Sequence, residues 1–292
     1  MFEFKSAIFI PGSSEKMLAK AATLDADLVL FDLEDAVHES QKDAARALVA
    51  EYLARPRPEA KVGVRLNALD TSHLLSDMET IVPAKPDLIL LPKVESGDDL
   101  KQIDAMISKV EADVGLQVGQ TKLIILTAET PVSLFRFDSL LNVSNRLVAM
   151  TWGPEDLASE LGAAQGRGQD GQWLPPFQLA QTFCLAKAAD LGVQALDTVM
   201  ADFKDLDALR KECLASREMG FTGKLAIHPC QLEVINEVFA PSEQEIDFAR
   251  RVVALFEANS QAGALQLDGA MVDIPHLRSA KKLLNRIGES AD

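Results

Sequence analysis

The sequence contains, at residues 122–130, the stretch Lys122-Leu123-Ile124-Ile125-Leu126-Thr127-Ala128-Glu129-Thr130, an unbroken apolar run that ends on a carboxylate. A run without polar alternation predicts a β-strand that is covered on both faces, and a parallel strand is the usual case. A second run has the same form, Arg146-Leu147-Val148-Ala149-Met150-Thr151-Trp152-Gly153-Pro154-Glu155-Asp156. The two runs therefore predict neighbouring parallel strands that deliver acids to the same edge of a sheet.

Glu129 and Asp156 are the acids that follow these two strands. Side by side, they would lie close enough to share a hard divalent cation, and Mg²⁺ is the best match because it binds one or two carboxylates and fills its other positions with water. Each carboxylate alone is equally compatible with capping the helix after its strand. The repetition of the pattern along the chain favours the metal site.

Further apolar segments predict the other strands, and segments of helical character lie between them. The predicted strands are Ala7–Ile10, Leu28–Leu33, Val62–Leu66, Leu88–Leu91, Leu123–Leu126, Leu147–Met150, Ala195–Met200 and Leu225–Ile227. The predicted helices are Glu15–Leu24, Gln41–Ala54, Leu74–Ile81, Asp98–Glu111, Val132–Leu141, Pro176–Leu191, Lys204–Met219 and Leu232–Phe239. This alternation predicts a parallel (β/α)₈ TIM barrel, with an open doubly wound sheet as the alternative. The absence of a Gly-x-Gly-x-x-Gly fingerprint after the first strand weakens that alternative.

Composition limits the classes of function. Hydrophobic residues make up 48% and charged residues 25% of the 292 residues, which is typical of a globular protein with a large core. The net charge of −15 argues against non-specific binding to nucleic acid or to an anionic membrane. The amino end lacks a secretory signal and no apolar stretch is long enough for a membrane span, so we expect a cytoplasmic protein. Cys184, Cys213 and Cys230 are widely spaced, which favours structural thiols over zinc or redox chemistry.

In a barrel of this kind the active site lies at the carboxyl ends of the strands. Acids, bases and an arginine stand at these predicted ends in greater number than helix capping needs, and the candidate site residues are Gly12, Glu34, Asp35, Arg65, Lys93, Glu129, Asp156 and His228. Glu34 and Asp35 are candidate catalytic carboxylates. Arg65 is predicted to bind a substrate carboxylate, because its fork matches two oxygens; the alternative is a structural ion pair with Glu34 or Glu95.

For the other candidates, the sequence allows more than one role. Lys93 could pair with Glu95 or Glu34, contact an anionic ligand or form a Schiff base, and the ion pair is favoured. Gly12 lies in Pro11-Gly12-Ser13-Ser14, where free backbone amides could hold a phosphate, although a plain turn is commoner. A structural hydrogen bond is favoured over catalysis for His228. The Gly-rich residues 162–171 predict an excursion on the catalytic face.

The chain continues past the eighth unit, so we divide it into a barrel of residues 1–240 and an extension of residues 241–292. The extension begins with a predicted amphipathic helix, Ser242–Ala258, followed by the Gly-rich stretch Gly263–Gly269 and by Ala270-Met271-Val272-Asp273-Ile274-Pro275. It either covers a face of its own barrel or acts as a lid on a neighbouring subunit. Asp273 suits a carboxylate brought into a closed cavity, and its alternative is an ordinary loop or cap residue.

Together these segments resemble the citrate lyase β-subunit family, whose relatives include malyl-CoA and citramalyl-CoA lyases. The matching segments span nearly the whole chain. They are Ser6–Gly12, Asp32-Leu33-Glu34-Asp35, Arg65-x-Asn67, Leu91-Pro92-Lys93-Val94-Glu95, Glu129-Thr130, Gly153-Pro154-Glu155-Asp156-Leu157, Ile227-His228-Pro229-x-Gln231 and Met271-Val272-Asp273-x-Pro275.

The resemblance implies a (β/α)₈ barrel that assembles as a homotrimer or homohexamer. It also implies that Glu129 and Asp156 bind Mg²⁺, that Arg65 holds the keto-acid half of the substrate, and that Asp273 arrives from an adjacent subunit as the proton-transfer residue. One departure is Lys5-Ser6, where the family often has Arg-Ser, which keeps the charge but gives up the bidentate fork.

The expected activity is that of a Mg²⁺-dependent carbon–carbon lyase. It would cleave or form a 3-hydroxy-dicarboxylic or tricarboxylic acyl thioester of the citryl-, citramalyl- or malyl-CoA type, giving a keto acid and an acyl thioester. The thioester is carried either on coenzyme A or on an acyl carrier protein. The alternatives are a Mg²⁺-dependent pyruvate aldolase that uses no thioester, and a non-catalytic assembly or regulatory subunit.

Overall fold

The computed structural model describes residues 3–55 and 60–289, and eight of its strands form a closed parallel barrel in sequence order. The strands are β1 (Ser6–Pro11), β2 (Leu28–Asp32), β3 (Lys61–Arg65), β4 (Leu88–Leu91), β5 (Lys122–Thr127), β6 (Leu147–Trp152), β7 (Gln194–Asp197) and β8 (Gly223–Ala226). Pairing of β1 with both β2 and β8 closes the barrel. The predicted TIM barrel is confirmed.

The barrel strands are apolar because both of their faces are covered. Every residue of β2 and β4 is buried, with side chains alternating between the barrel interior and the helical layer. Gly63 of β3 allows the interior to fill, since a Cβ at this position would lie 2.5 Å from Leu88 Cδ1 and 2.9 Å from Leu30 Cδ2. The leucines of neighbouring strands therefore occupy the space that a larger residue would need.

Helices follow the strands and form the outer layer of the barrel unit. They are α1 (Glu15–Ala21), α2 (Lys42–Leu53), α3 (Leu74–Ile81), α4 (Gly97–Asp113), α5 (Pro131–Leu134), α6 (Pro154–Leu161), α7 (Pro175–Leu191), α8 (Leu206–Met219) and α9 (Leu232–Phe239). The predicted helix Val132–Leu141 is wrong in detail, because the chain forms the short α5 and then a 3₁₀ turn, Phe137–Leu140. Hydroxyls of Ser133 and Ser139 donate to carbonyls three residues back, which competes with a continuous helix.

A buried ion cluster ties the amino ends of β5 and β6 to α4. The guanidinium of Arg146 donates to Glu111 at 2.7 and 3.0 Å and to Asp104 at 2.6 Å. Glu111 also accepts hydrogen bonds from the amides of Gly119 and Thr121. This cluster lies at the end of the barrel opposite to the catalytic end, where strong side-chain interactions serve stability.

Residues 240–289 and residue 3 form a second compact unit. It consists of α10 (Glu243–Ala258), an antiparallel hairpin of β9 (Ala264–Leu267) and β10 (Ala270–Asp273), and α11 (Ile274–Arg286). The hairpin was not predicted; its turn residues Asp268 and Gly269 have positive φ angles of 51° and 83°, as tight hairpin turns require. Val252, Phe256, Val272 and Leu284 form the core of this unit. Among the described helices, none has the length and apolar character needed to cross a membrane.

Candidate active site

A cavity of about 420 Å³ lies at the carboxyl ends of the barrel strands. Of the predicted site residues, it is lined by Asp35, Arg65, Glu129 and Asp156. Glu34 and Lys93 lie directly behind these side chains and contact them. The other lining residues include Phe9, Pro11, Asp32, Leu126, Trp152, Gly153, Pro154, Glu155, Thr198, Val199, Leu225 and Ile227. The barrel thus brings together side chains that are far apart in the sequence.

Arg65, the last residue of β3, is held by Asp32, the last residue of β2. Its Nε donates to Asp32 Oδ1 at 2.7 Å and its Nη2 to Asp32 Oδ2 at 2.5 Å. Arg65 Nη1 lies 2.8 Å from Glu34 Oε2, whereas Glu95 approaches Arg136 instead. Burial alone would lower the pKa of Arg65, but Asp32 and Glu34 raise it, so the guanidinium stays charged. Asp32 thus holds the edge formed by Nε and Nη2, and Glu34 lies against Nη1 on the other edge.

Asp32 was not singled out from the sequence as a site residue, although it stands in the quoted segment Asp32-Leu33-Glu34-Asp35. It is 1% exposed, and its carboxylate also accepts from the amides of Glu34 at 2.8 Å and Ala36 at 3.1 Å. Its place opposite Arg65 in the β2–β3 register was the available signal. Asp32 therefore fixes both the arginine and the loop that carries the next two acids.

Glu34 is a buried carboxyl group with an unusual proton affinity. Burial raises its pKa to about 7, and Asp35 and Asp32 add to this effect, while Arg65 and Lys93 oppose it. Lys93 Nζ donates to its Oε1 at 3.2 Å, and its Oε2 is buried without a hydrogen bond of good geometry. Lys42 fixes the backbone here by donating to the carbonyls of Leu33 and Glu34, both at 2.8 Å. Asp35, by contrast, is mostly exposed and lies 3.8 Å from Arg65 Nη1.

Lys93 bridges two acids of the site. Its Nζ lies 3.2 Å from Glu34 Oε1 and 3.5 Å from Asp156 Oδ1. Burial would lower the pKa of Lys93, but Glu34 and Asp156 together raise it, so the amine stays protonated. A protonated amine is a poor nucleophile, which disfavours Schiff-base chemistry.

The Lys93 backbone contributes as well. Its amide donates to Glu129 Oε2 at 2.5 Å. Lys93 and Ala128, which precedes Glu129, have positive φ angles of 53° and 56°. Non-glycine residues in this region cost on the order of 1–3 kcal/mol and cluster at functional sites. The strained backbone of two neighbouring strand ends thus holds the Glu129 carboxylate.

Glu129 is 2% exposed, and its pKa is raised well above the usual range, first by burial and then by the charges of Glu34 and Asp156. Its side chain lies against Gly153, where a Cβ would come within 2.5 Å of Glu129 Cγ. Gly153 is therefore required for the position of this carboxylate. In the sequence, Gly153 is distinguished only as a member of the segment Gly153-Pro154-Glu155-Asp156-Leu157.

Asp156 follows β6 as expected, but it lies four residues beyond the end of the strand. The strand ends at Trp152, and Asp156 lies in the first turn of α6, which begins at Pro154. The reason is that Gly153-Pro154 breaks the strand and Pro is well suited to the first turn of a helix. Asp156 still lines the cavity with Glu129.

The donor set fits a magnesium ion. In the described part of the chain, no group of three or more His, Cys, Asp or Glu side chains is arranged to hold a metal. Mg²⁺ does not need such a cage, since it commonly binds one or two carboxylates together with water and substrate oxygens. Burial is the main cause of the raised pKa of Glu129, and the charges of Glu34 and Asp156 add to it; a divalent cation would offset these charges.

Gly12 does not offer the free amide that the sequence analysis considered. Its N–H donates to the carbonyl of Asp32 at 2.8 Å. A Cβ on Gly12 would lie 2.8 Å from that same oxygen and 3.0 Å from Leu33 Cδ2. The glycine is therefore explained by close packing of β1 on β2.

His228 follows β8 and is an exposed residue outside the lining of the cavity. Its Nδ1 accepts from the amide of Cys230 at 3.2 Å, which caps the 3₁₀ turn Pro229–Gln231. Its ring stacks on Phe203 with the centroids 4.4 Å apart. These contacts give His228 the structural hydrogen bond that the sequence analysis favoured.

Asp273 belongs to the second unit, where it caps α11. Its Oδ1 lies 2.5 Å from His276 Nδ1, and the hydrogen bond with His276 lowers its pKa. The cap geometry is the alternative that the sequence analysis kept open. A role of Asp273 in catalysis stays a prediction.

Two family models together, and several known proteins individually, match this chain over most of its length. A family model described as HpcH/HpaI aldolase/citrate lyase matches residues 5–229, and one described as a C–C bond lyase of the TIM-barrel fold matches residues 181–288. Citrate lyase subunit beta of Haemophilus influenzae is 34% identical, covering 97% of this chain and 96% of its own. A (3S)-malyl-CoA thioesterase of Cereibacter sphaeroides is 36% identical, covering 96% of this chain and 93% of its own.

Solved structures are similar as well. Protein CitE from Mycobacterium tuberculosis, in complex with magnesium, acetoacetate and coenzyme A, superposes with a TM-score of 0.77 at 31% identity, covering 97% of this chain and 98% of that one. The citrate lyase beta subunit from the same organism, complexed with oxaloacetate and magnesium, gives a TM-score of 0.70 at 29% identity, covering 81% of this chain and 97% of that one.

Proposed function

The chain belongs to the HpcH/HpaI aldolase/citrate lyase family, and we propose that it is a Mg²⁺-dependent carbon–carbon lyase acting on a 3-hydroxyacyl-CoA thioester. The family membership confirms the resemblance and the lyase class. The finer proposal is that a citryl-, citramalyl- or malyl-type thioester is cleaved to, or formed from, a keto acid and an acyl-CoA. It rests on one observation: the acids Glu129 and Asp156 share a cavity with Arg65, whose guanidinium is fixed by Asp32.

Glu129 and Asp156 are the residues that would hold the magnesium ion. When bound, Mg²⁺ would supply a Lewis acid that stabilises the alkoxide formed from the substrate hydroxyl before the carbon–carbon bond breaks. The magnesium-bound relatives support this assignment. Gly153 and the Lys93 amide keep the Glu129 carboxylate in place.

Arg65 is proposed to orient the substrate through its carboxylate. The Nη1–Nη2 edge provides parallel N–H donors, and Asp32 keeps the guanidinium plane fixed while the substrate enters. Glu34 lies beside Nη1 with a pKa of about 7, so near neutral pH it can hold a proton and leave that donor to the substrate.

Asp273 is proposed to move the proton at the acyl carbon, reaching the cavity of a neighbouring subunit in a homotrimer or homohexamer. Its lowered pKa keeps it ionised, which suits removal of a proton from the acyl-CoA in the condensation direction. In the cleavage direction the same oxygen would return the proton. Coenzyme A is preferred to a carrier protein because a similar structure contains it.

The test is a panel of citryl-, citramalyl- and malyl-CoA, assayed with Mg²⁺ for both keto acid and free thiol. We expect keto acid to appear with at least one thioester and no equal release of free coenzyme A. Turnover of hydroxy keto acids without coenzyme A would instead indicate the aldolase alternative. Inactivity with every substrate would indicate an assembly subunit and contradict the proposal.

Thioester hydrolysis is a second candidate, because relatives at 36% identity are (3S)-malyl-CoA thioesterases. Both activities would use the same anion and metal groups. Free coenzyme A produced in step with malate, without keto acid, would identify the hydrolase.

The metal assignment has its own test. Glu129→Gln and Asp156→Asn should each weaken Mn²⁺ binding by calorimetry, used as a probe for Mg²⁺, by more than about tenfold. Glu160→Gln is the matched control, because Glu160 lies exposed on the same helix as Asp156. Unchanged Mn²⁺ affinity in both site variants would show that the metal lies elsewhere.

A further inference from the structure

The Gly-rich residues 162–171, together with Gln172 and Trp173, form the Gly-rich segment. A ring of side chains that the proposed chemistry does not use connects this segment to the barrel. In order around the ring, the members are Arg167, Glu212, Lys224, Asp197, Trp152 and Trp173. Arg167 Nη2 donates to Glu212 Oε2 at 2.6 Å, and Lys224 Nζ donates to Glu212 Oε1 and Asp197 Oδ2, both at 2.8 Å. Trp152 Nε1 donates to Asp197 Oδ1 at 2.9 Å.

The aromatic contacts close the ring. The rings of Trp152 and Trp173 meet edge to face with their centroids 5.1 Å apart. The guanidinium of Arg167 lies 3.5 Å above the Trp173 ring. Arg167 thus reaches Trp152 by two routes, one through charges and one through aromatic packing.

Two of the four charged members are fully buried. Lys224 and Asp197 are both 0% exposed, and Asp197 also accepts from Ser216 Oγ at 2.6 Å. Well-packed apolar residues in place of such an ion cluster are often as stabilising or more so, because burying charges carries a large desolvation cost. Burial of the ion cluster is therefore weak evidence for a stabilising role, and its place beside the active site is the observation that suggests a role in fixing geometry.

The ring lies directly beside the active site. Trp152 and Asp197 are the last residues of β6 and β7. The residues after them, Gly153 and Thr198, line the active-site cavity, and α6 with Asp156 begins at Pro154. The Gly-rich segment in turn lines a second cavity of about 840 Å³, which shares Pro154, Glu155 and Val199 with the first.

We propose that this ring positions the active site. Through the Gly-rich segment, Arg167 fixes the ends of β6 and β7, and these ends determine the positions of Asp156 in α6 and of Thr198 after β7. Arg167 and Asp197 are positioning residues, since neither is assigned a contact with the reacting atoms. The proposal rests on the metal site of the proposed function. The new claim is that residues 162–173 help to determine the geometry of that metal site.

The first experiment replaces Arg167, which is the most exposed charged member of the ring. Arg167 is 32% exposed, so Arg167→Met should fold. We expect Mn²⁺ affinity to fall roughly tenfold, as when groups supporting metal ligands are removed. Tryptophan emission should shift to longer wavelength, because the chain contains 2 Trp and both are in the ring. Arg167→Lys keeps the charge but not the planar contact with Trp173, and an intermediate effect is expected.

Arg210→Met is the matched control. Arg210 lies on α8 with Glu212, pairs with Glu237 at the same 2.6 Å distance and is 41% exposed, but it is outside the ring. It should leave Mn²⁺ affinity and emission unchanged. If Arg167→Met behaves like Arg210→Met in both measurements, even with a lower Tm, the ring is only structural and the proposal is overturned.

A second pair of variants tests the buried side of the ring. Asp197→Asn removes a buried carboxylate at the catalytic end of the barrel, and Glu111→Gln removes one at the opposite end. Both should lower stability, but only Asp197→Asn should weaken Mn²⁺ binding; equal affinities in the two variants would overturn the proposal. If the wild-type protein binds no Mn²⁺, the proposed function fails instead. The emission comparison between the Arg167 and Arg210 variants still decides whether Arg167 holds the tryptophans of the ring.

Discussion

Arg65 can offer an incoming carboxylate only one edge of its guanidinium, because Asp32 already holds the other. The hydrogen bonds of 2.5 and 2.7 Å to Asp32 leave the guanidinium little freedom of rotation, so the edge formed by Nη1 and Nη2 points in a fixed direction. Preorganisation of this kind lowers the entropy lost when a substrate binds. If Arg65 binds the substrate as proposed, Asp32 fixes the direction in which it does so.

Arg65→Lys should be strongly impaired although the charge is kept. A lysine has no planar fork, so it cannot hold Asp32 and a substrate carboxylate at once. We expect a loss on the order of 2–4 kcal/mol in transition-state stabilisation, measured as kcat/KM on the thioester that the wild type cleaves. Arg136→Lys, an exposed residue near Glu95 outside the cavity lining, is the control. Near-normal kcat/KM for Arg65→Lys would remove this residue from the site.

At the scale of elements, the junction between β6 and α6 carries Asp156 and the glycine that packs against Glu129, the two residues of the proposed metal site. Gly153 ends the extended chain, Pro154 starts the helix, and Asp156 follows within its first turn. The same glycine makes room for Glu129 from β5. A single connection thus sets the distance between the two carboxylates that are proposed to bind Mg²⁺.

Gly153→Ala should therefore disturb the site from within this connection. The new methyl group would lie 2.5 Å from Glu129 Cγ, so the carboxylate must move. We expect Mn²⁺ affinity to fall about tenfold or more, with an overpacking cost of about 1–3 kcal/mol in the free energy of unfolding. Gly263→Ala is the control, since a Cβ there meets nothing within 4 Å. Equal Mn²⁺ affinity in both variants would show that Glu129 does not need Gly153.

At the opposite end of the barrel, Glu111 makes stability depend on pH. Burial by itself would raise its pKa, but Arg146 and the amides of Thr121 and Gly119 outweigh burial and lower the pKa to about 2. A carboxyl group whose pKa is lower in the folded state stabilises the fold above its unfolded pKa of about 4.5. That contribution is lost as pH falls from about 4.5 towards 2.

Glu111→Gln should lower the free energy of unfolding at pH 7 by about 2–3 kcal/mol. The difference between the variant and the wild type should shrink at pH 3, because Glu111 of the unfolded wild type is then mostly protonated while Glu111 of the folded protein is still mostly ionised. Urea unfolding of both proteins at the two pH values measures the difference. If the difference in the free energy of unfolding between variant and wild type is the same at both pH values, carboxylates other than Glu111 cause the loss of stability in acid.

At the scale of the whole molecule, the barrel unit and the second unit carry different parts of the proposed chemistry. The lining of the cavity comes from residues 9–227, whereas Asp273 lies at the junction of β10 and α11. Asp273 is held there by His276 and by its role as helix cap. A catalytic function for this residue therefore requires contact between the second unit and a barrel.

Mixing two inactive variants tests whether that barrel belongs to another subunit. Asp273→Asn and Glu129→Gln oligomers should each be inactive, and subunit exchange between them should restore part of the activity. The reason is that some interfaces then pair an intact barrel with an intact Asp273. Each variant incubated alone is the control. Flat activity in verified mixed oligomers would show that Asp273 serves its own barrel or has no catalytic role.

The sequence by itself determined the architecture. Strands covered on both faces need unbroken apolar runs, and those runs alternate with helical segments along the chain, which is sufficient to predict a TIM barrel. The same logic placed Glu129, Arg65 and Lys93 after their strands, because the carboxyl ends of parallel strands share one edge. It missed the hairpin β9–β10, since the pairing of short strands depends on a turn at Asp268-Gly269 rather than on a hydrophobic pattern.

Only the tertiary structure decided which groups meet. Arg65 pairs with Asp32 rather than with Glu95, the Gly12 amide is used by the Asp32 carbonyl, and Gly153 lies against Glu129. These contacts join residues distant in the sequence and depend on the register between strands, where a shift of one residue turns a side chain to the other face. Distances near 3 Å are set by closure of the barrel, and closure is a property of all eight strands together.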